Sequence, residues 1–211
     1  PTLRRQRQMC IRDSLYIDFE GYPFLTIGRN FEYLYGIWSN DKNESFTYYW
    51  SDDEEEEKNS FVSFIEKLLE HLELYPDAKF YHYFSYEISS LRRSAQNFGV
   101  YEKELEQLIE KKCFIDLFTI VNSSLLIGAS SYSLKTVEKL AGINRTEDLQ
   151  SGMESIQYFE DYFFNEEYEL KDLIIEYNKA DCKNLYLLHD WLASLLSVSY
   201  THLTLPTKCW V

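Results

Sequence analysis

The sequence predicts an α/β fold, a mixed sheet of three antiparallel plus two parallel strands flanked by helices. Three observations predict it. Residues 15–51 hold three strand-like runs joined by short turns, which reads as an antiparallel meander. Residues 59–126 then take up helical spacing interrupted by two short apolar runs, the wiring of parallel strands through helices. A long helix over 170–196 closes the chain, and its apolar stripe carries one carboxylate, Asp181.

The first run, LYIDFE, alternates: Leu15, Ile17 and Phe19 face one way, Tyr16, Asp18 and Glu20 the other. Gly21 and Pro23 mark its expected end. Residues 31–39 and 44–51 are aromatic-rich strands with a turn at 40–43 between them. The six consecutive acids at 52–57 read as a solvated loop. Phe61, Phe64, Ile65, Leu68, Leu69 and Leu72 then recur at helical spacing, with Asn59 or Ser60 as cap and Pro76 past the end. Residues 79–84 form a buried-type strand, and a helix follows from Tyr86 with Gly99 at its stop. A polar helix over 101–111, a strand over 113–117 and a helix over 118–126 come next. Leu134, Val137, Leu140 and Ala141 form a short helix between Ser133 and Gly142, and 144–165 reads as loop with a partial helix. No helix separates the first two strands, which disfavours a flavodoxin-like order and favours the ribonuclease H-like one.

Composition narrows the function classes. With 45% hydrophobic and 17% aromatic residues among 211, the chain can bury the core of one domain and is not disordered by composition. No apolar run approaches the roughly 20 residues that span a bilayer, so no membrane partner is expected. Four cysteines without a C-x-x-C pair indicate neither a zinc ribbon nor a disulfide framework, and a reducing, cytoplasmic setting is expected. The terminal strings PTLRRQRQMCIRDS and VSYTHLTLPTKCWV resemble translated sequencing-adapter remnants at the ends of metagenome-derived reading frames. Pro206 would also break any continuation of the last helix. The domain is therefore expected over 15–197, with 1–14 and 198–211 non-native and unstructured and the body cut from a longer protein. Because these ends hold four Arg and Lys208, the body is more acidic than the −14 of the whole chain. Such a surface is a poor match for non-specific duplex binding, which needs Lys and Arg against phosphates. It suits a site that recruits divalent cations, or a domain whose grip on nucleic acid comes from a neighbour.

The carboxylates carry the chemistry. On the last helix, Leu170, Leu173, Ile174, Tyr177, Asp181, Leu185, Leu188, Leu192 and Leu195 share one stripe. A carboxylate there is costly unless it is paired, hydrogen-bonded or bound to metal. Tyr177 lies one turn before it, on the same face. Asp18 and Glu20, two apart on a strand, share a face and come within reach of one metal. Glu87 opens a helix, where it either complements the dipole or joins a site. Asp116 ends a strand and is placed to cap the following helix.

Together, the D-x-E strand, the acid at a strand-to-helix junction and Y-x-x-x-D on the closing helix resemble the DEDD exonuclease superfamily, in its tyrosine variant. The body is closer still to a family of RecB-type nucleases with a ribonuclease H-like domain. The resemblance lies in DFEGYPF, EYLYGIW, YHYFSYEISSLRR, FIDLFTIV, SYSLKTVEKLAG and YNKADCKNLYLLHDWL, most of the body. One departure is Glu87 after Tyr86, where the wider superfamily has Asp after an aromatic residue, so Asp116 stands as the alternative metal ligand. The resemblance implies metal-dependent hydrolysis of DNA or RNA phosphodiesters from 3′ ends, with two Mg²⁺ or Mn²⁺ ions. Asp18, Glu20, Glu87 and Asp181 would hold the ions, and Tyr177 would orient the attacking water. Tyr83, Tyr86, Arg92 and Lys135 are the candidate substrate contacts, for single-stranded ends above all. A helicase or a second nuclease domain is the implied partner, and a non-catalytic module that positions nucleic acid for such a partner is the alternative reading.

Overall fold

Strand alternation puts two chemistries on opposite faces of one sheet, and the helices divide accordingly. The computed structural model describes residues 13–26, 29–40, 44–128, 131–145 and 152–201. Strands β1 (Leu15–Thr26), β2 (Arg29–Ser39) and β3 (Ser45–Trp50) form the antiparallel meander. β4 (Phe80–His82) pairs parallel with β1, and β5 (Phe114–Asp116) parallel with β4, giving the order β3-β2-β1-β4-β5. The expected three-plus-two sheet is the observed one.

Leu15, Ile17 and Phe19 enter a core with Phe61, Phe64, Ile65 and Leu68 of α1 (Glu54–Leu74). Leu91 and Ala95 of α2 (Tyr86–Phe98) and Leu105 and Leu108 of α3 (Glu102–Glu110) complete it. The opposite face of β1 shows Tyr16 to a second core, with Leu117 and Val121 of α4 (Leu117–Ser124) and Val137 of α5 (Leu134–Leu140). Cys182, Leu185, Leu188 and Leu192 of α7 (Leu170–Thr201) close that core. Phe159 and Tyr162 of α6 (Gly152–Asn165) pack with Tyr33 and Ile174 in a third, where the Phe159 and Tyr33 rings stack 4.0 Å apart.

Several expectations are corrected. β1 does not stop at Gly21; a register shift after Glu20 absorbs the glycine, and Pro23 falls in a second irregularity that asks no ladder bond of it. The acids at 52–57 are not a loop but a helix start: Asp53 caps α1, accepting from the Glu56 N–H at 2.8 Å, and Glu54–Glu57 fill its first turn. Carboxylates at that end are favoured by the unpaired N–H groups and the dipole. β4 is shorter than expected because Phe84 turns into the left-handed region (φ 71), its N–H held 2.9 Å from Asp116 Oδ1. The helix expected to be partial within 144–165 is longer than expected, running as α6 over Gly152–Asn165. Apart from these corrections, α7 extends to Thr201, Ser14 is buried, and the Asp13 carbonyl pairs with His71 Nε2 at 2.7 Å. Residues 1–12 and 202–211, and most of the expected 40–43 turn, lie outside the described residues.

The last helix rests directly on the sheet at Gly36, the β2 partner of Asp18. A methyl group there would overlap the Asn178 amide oxygen and press on Cys182 Sγ. Gly36→Ala should therefore destabilise the protein by about 1–3 kcal/mol through overpacking. Urea denaturation of a double-mutant cycle checks this: the penalty should shrink in an Asn178→Ala background, and an additive cycle would rule out that contact as its source.

Candidate metal centre

β1 and α7 cross where the two acids of the strand meet Asp181 of the helix. Asp18, Glu20 and Asp181 each offer a carboxylate oxygen, and these oxygens all lie within 4.8 Å of one another. The strand delivers its pair because alternation turns both acids away from the Phe61–Leu68 side of the core. The helix delivers Asp181 because Ile174, Tyr177, Leu185, Leu188 and Leu192 are buried along the same stripe; Leu173, expected on it, is exposed. Asn178, fully buried one turn before Asp181, donates to the Asp18 carbonyl oxygen at 3.1 Å and to Asp18 Oδ2 at 2.9 Å. Helix and strand are thus tied at the site itself.

The pocket's electrostatics follow from burial and crowding. Burial pushes the Asp18 carboxyl well above the usual range, and Asp181, Glu20 and Glu87 push it further. Burial and the Asp181 charge raise Glu20 to about 8, against hydrogen bonding from Ser155 and the charge of Lys135. Asp181 is raised by burial and pulled back by Arg145. Burial and all three carboxylates drive the Tyr177 hydroxyl far upward, so it stays protonated, and it hydrogen-bonds Asp181.

A basic rim faces these acids from α5 and the turn after it. Arg145 Nη2 comes within 2.5 Å of Asp181 Oδ1 as an ion pair, without hydrogen-bond alignment. The same guanidinium grips Glu138 through two bonds of 2.7 Å. Lys135 Nζ lies 5.2 Å from the centre of the Tyr177 ring.

The other candidates stand further out. Glu87 is buried but faces His82 Nδ1 at 3.4 Å, near enough to Asp18 to raise its pKa while outside the cluster of three. Asp116 spends its carboxylate on the N–H groups of Phe84 and Phe118 and on the Thr119 hydroxyl. Tyr83 donates to the Tyr132 carbonyl, Tyr86 to Glu32, and Arg92 is clamped to Glu106 on the surface.

A family model described as the RNase H superfamily matches residues 15–193. The chain belongs to the ribonuclease H superfamily. Neither curated proteins nor solved structures give a match. Ribonuclease H-like nucleases use divalent metals, and the acidic cluster of this member could hold them. The donor set fits: it is all oxygen, as hard divalent cations prefer. Asp181 Oδ1 is also buried, with the Arg145 guanidinium beside it as an ion pair.

Sequence reading missed Asn178, Ser155, Glu138 and Arg145. Glu138 was legible by the signal that flags Asp181, since it shares the Leu134, Val137 and Ala141 stripe of α5. Asn178 shares a helix face with Asp181 three residues on. No pattern marks Arg145, which lies in coil after Gly142.

The raised acids make metal-free stability depend on pH. Glu20 keeps its proton in the folded protein up to about 8 but releases it near 4.5 when unfolded. Its contribution is whole below 4.5 and is lost as pH rises through about 8. In chelator the Tm should fall between those limits, and Glu20→Gln should flatten the slope. Mn²⁺ should raise the Tm more at the alkaline end, where the carboxylates are charged. Thermal melts across pH, with and without Mn²⁺, measure both effects; a Tm that rises with pH in chelator would contradict the assignment.

Proposed function

We propose that this domain is a metal-dependent nuclease that hydrolyses DNA or RNA phosphodiester bonds from 3′ ends, of the DEDD type with tyrosine. The observation that carries the reading is the meeting of Asp18 and Glu20 from the first strand with Asp181 and Tyr177 from the last helix. Asp18, Glu20 and Asp181 would hold two Mg²⁺ or Mn²⁺ ions, with Glu87 supporting one of them through water. Bound there, the ions would neutralise charge on the attacking and leaving oxygens.

The chain's own groups divide the remaining work. Tyr177, held protonated by burial and by its carboxylate neighbours, orients the attacking water rather than taking its proton. Asn178 keeps the Asp18 carboxylate aimed into the pocket. Lys135, beside the Tyr177 ring, is the substrate contact the reading keeps. Phe84, 42% accessible, suits base stacking better than Tyr83 or Tyr86, which turn inward.

A reducing cytoplasm suits the free, buried thiols of Cys113 and Cys182, and no described helix is long and apolar enough to cross a membrane. A helicase or second nuclease domain remains the proposed partner. The Glu87–His82 pairing favours the second reading, a non-catalytic module that positions nucleic acid, because it draws one expected ligand aside.

Digestion of end-labelled single-stranded and duplex DNA and RNA with Mg²⁺ or Mn²⁺ decides between them. The nuclease reading expects shortening from the 3′ end that EDTA stops. Asp18→Ala and Asp181→Asn should abolish it while circular dichroism stays native. Binding without cleavage by the wild type supports the positioning module, and full activity in either variant refutes the site.

A further inference from the structure

Arg145 is anchored more firmly than a counter-charge requires. Its side chain is 9% exposed and is gripped at two nitrogens by Glu138, which is itself 1% exposed, while the fork leans on Asp181. Two bonds to one carboxylate fix the guanidinium plane. Nη1, on that same plane, is buried without a hydrogen-bond partner. A buried donor left unsatisfied is costly, and natural structures keep few of them without reason. The Tyr177 ring lies against this group, with Arg145 Cζ 5.9 Å and Lys135 Nζ 5.2 Å from its centre. Two cations therefore border the tyrosine that stands one turn before Asp181.

We infer that Arg145, held by Glu138, is a phosphate clamp whose buried, unpartnered Nη1 pairs with a non-bridging oxygen of the phosphodiester lying over the Asp18–Glu20–Asp181 pocket. The inference rests on the nuclease reading and deepens it. A guanidinium with a free edge selects a planar or tetrahedral oxyanion. The carboxylates already present cannot fill that role, since Glu138 occupies the other edge and Asp181 lacks alignment. Without substrate, Arg145 offsets part of the acids' repulsion; with phosphate on its free edge it joins nucleic acid to the pocket. Glu138 is the positioning residue, acting through Arg145.

The test is binding, read apart from hydrolysis. Fluorescence anisotropy of a short labelled single strand is measured in Ca²⁺ over a range of salt, for wild type, Arg145→Gln, Arg145→Lys and the double variant Glu138→Gln/Arg145→Gln. The double variant removes both partners, so it guards against a fold lost to an unpaired buried Glu138; circular dichroism confirms that each protein is folded. Removing a phosphate contact should weaken binding about tenfold or more and lower the slope of log K against log salt by about one. Arg145→Lys should restore the slope but only part of the affinity, because an ammonium lacks the fork. If affinity and slope match wild type in Arg145→Gln or in the double variant, while Mn²⁺ binding by calorimetry tightens, Arg145 is a counter-charge alone and the clamp is overturned. If the wild type binds Mn²⁺ but neither binds nor cuts any strand, the nuclease reading itself fails, which is a separate result.

Discussion

Carboxylates buried beside one another repel, and no arrangement of apolar side chains removes that repulsion. At an effective dielectric of about 20, two like charges about 4 Å apart oppose each other by about 4 kcal/mol. A charge-assisted hydrogen bond returns about 1.5–3 kcal/mol. Asn178 on Asp18 and Ser155 on Glu20 therefore cannot settle the pocket by themselves. Arg145 and Lys135 add positive charge, but Glu138 takes up much of the first. Protons or divalent cations must supply the rest, and the raised Asp18, Glu20 and Asp181 are the protonic answer. A domain built for stability alone would place leucine at these positions. That they are carboxylates instead supports the proposed state in which the cluster holds a cation.

The rest of the fold serves that constraint by holding register. A slip of one residue in β1 would send Asp18 and Glu20 into the Phe61–Leu68 core and bring Ile17 and Phe19 to the pocket. Antiparallel pairing to β2 on one side and parallel pairing to β4 on the other prevent the slip. On α7 the same accuracy comes from the stripe, because Ile174, Leu185 and Leu188 are fully buried on either side of Asp181. Gly36 then lets the helix sit low enough for Asn178 to reach Asp18. Backbone pairing, helix packing and one absent side chain converge on the same carboxylate.

How much of this was legible depended on whether a residue's role follows from its own element. Asp18, Glu20, Tyr177 and Asp181 could be read from alternation and helical spacing, because a strand or helix face is a local property. The strand order could be read because short connections restrict topology. Glu57 could not: in an acidic run it looks solvated, yet it is fully buried, accepting the Glu32 N–H at 3.0 Å and pairing with Arg29 at 2.8 Å. Arg145 could not either, since its partners come from α5 and α7 and coil has no period to betray them. Position on its strand suggested Asp116 as cap, whereas only the family resemblance named Glu87 as ligand. Only three dimensions revealed that three hydrogen bonds hold the first and that His82 engages the second.

The acidity of the chain, −14 overall, still has to be reconciled with the proposed nucleic-acid substrate. Part of it has other uses: Glu54, Glu55 and Glu56 complement the start of α1, and Glu32 and Glu57 are tied to Arg93 and Arg29. What remains repels a polyanion at long range, but that field decays within about 8 Å at physiological salt. Inside that distance the balance is local, and at the pocket it is set by Lys135, Arg145 and whatever cation the acids hold. A surface of this kind cannot gather duplex along its length as a basic groove does. The proposed action on strand ends asks less of it, one phosphate placed among those few positive charges. On that proposal the acidic surface and a preference for ends would share one electrostatic cause.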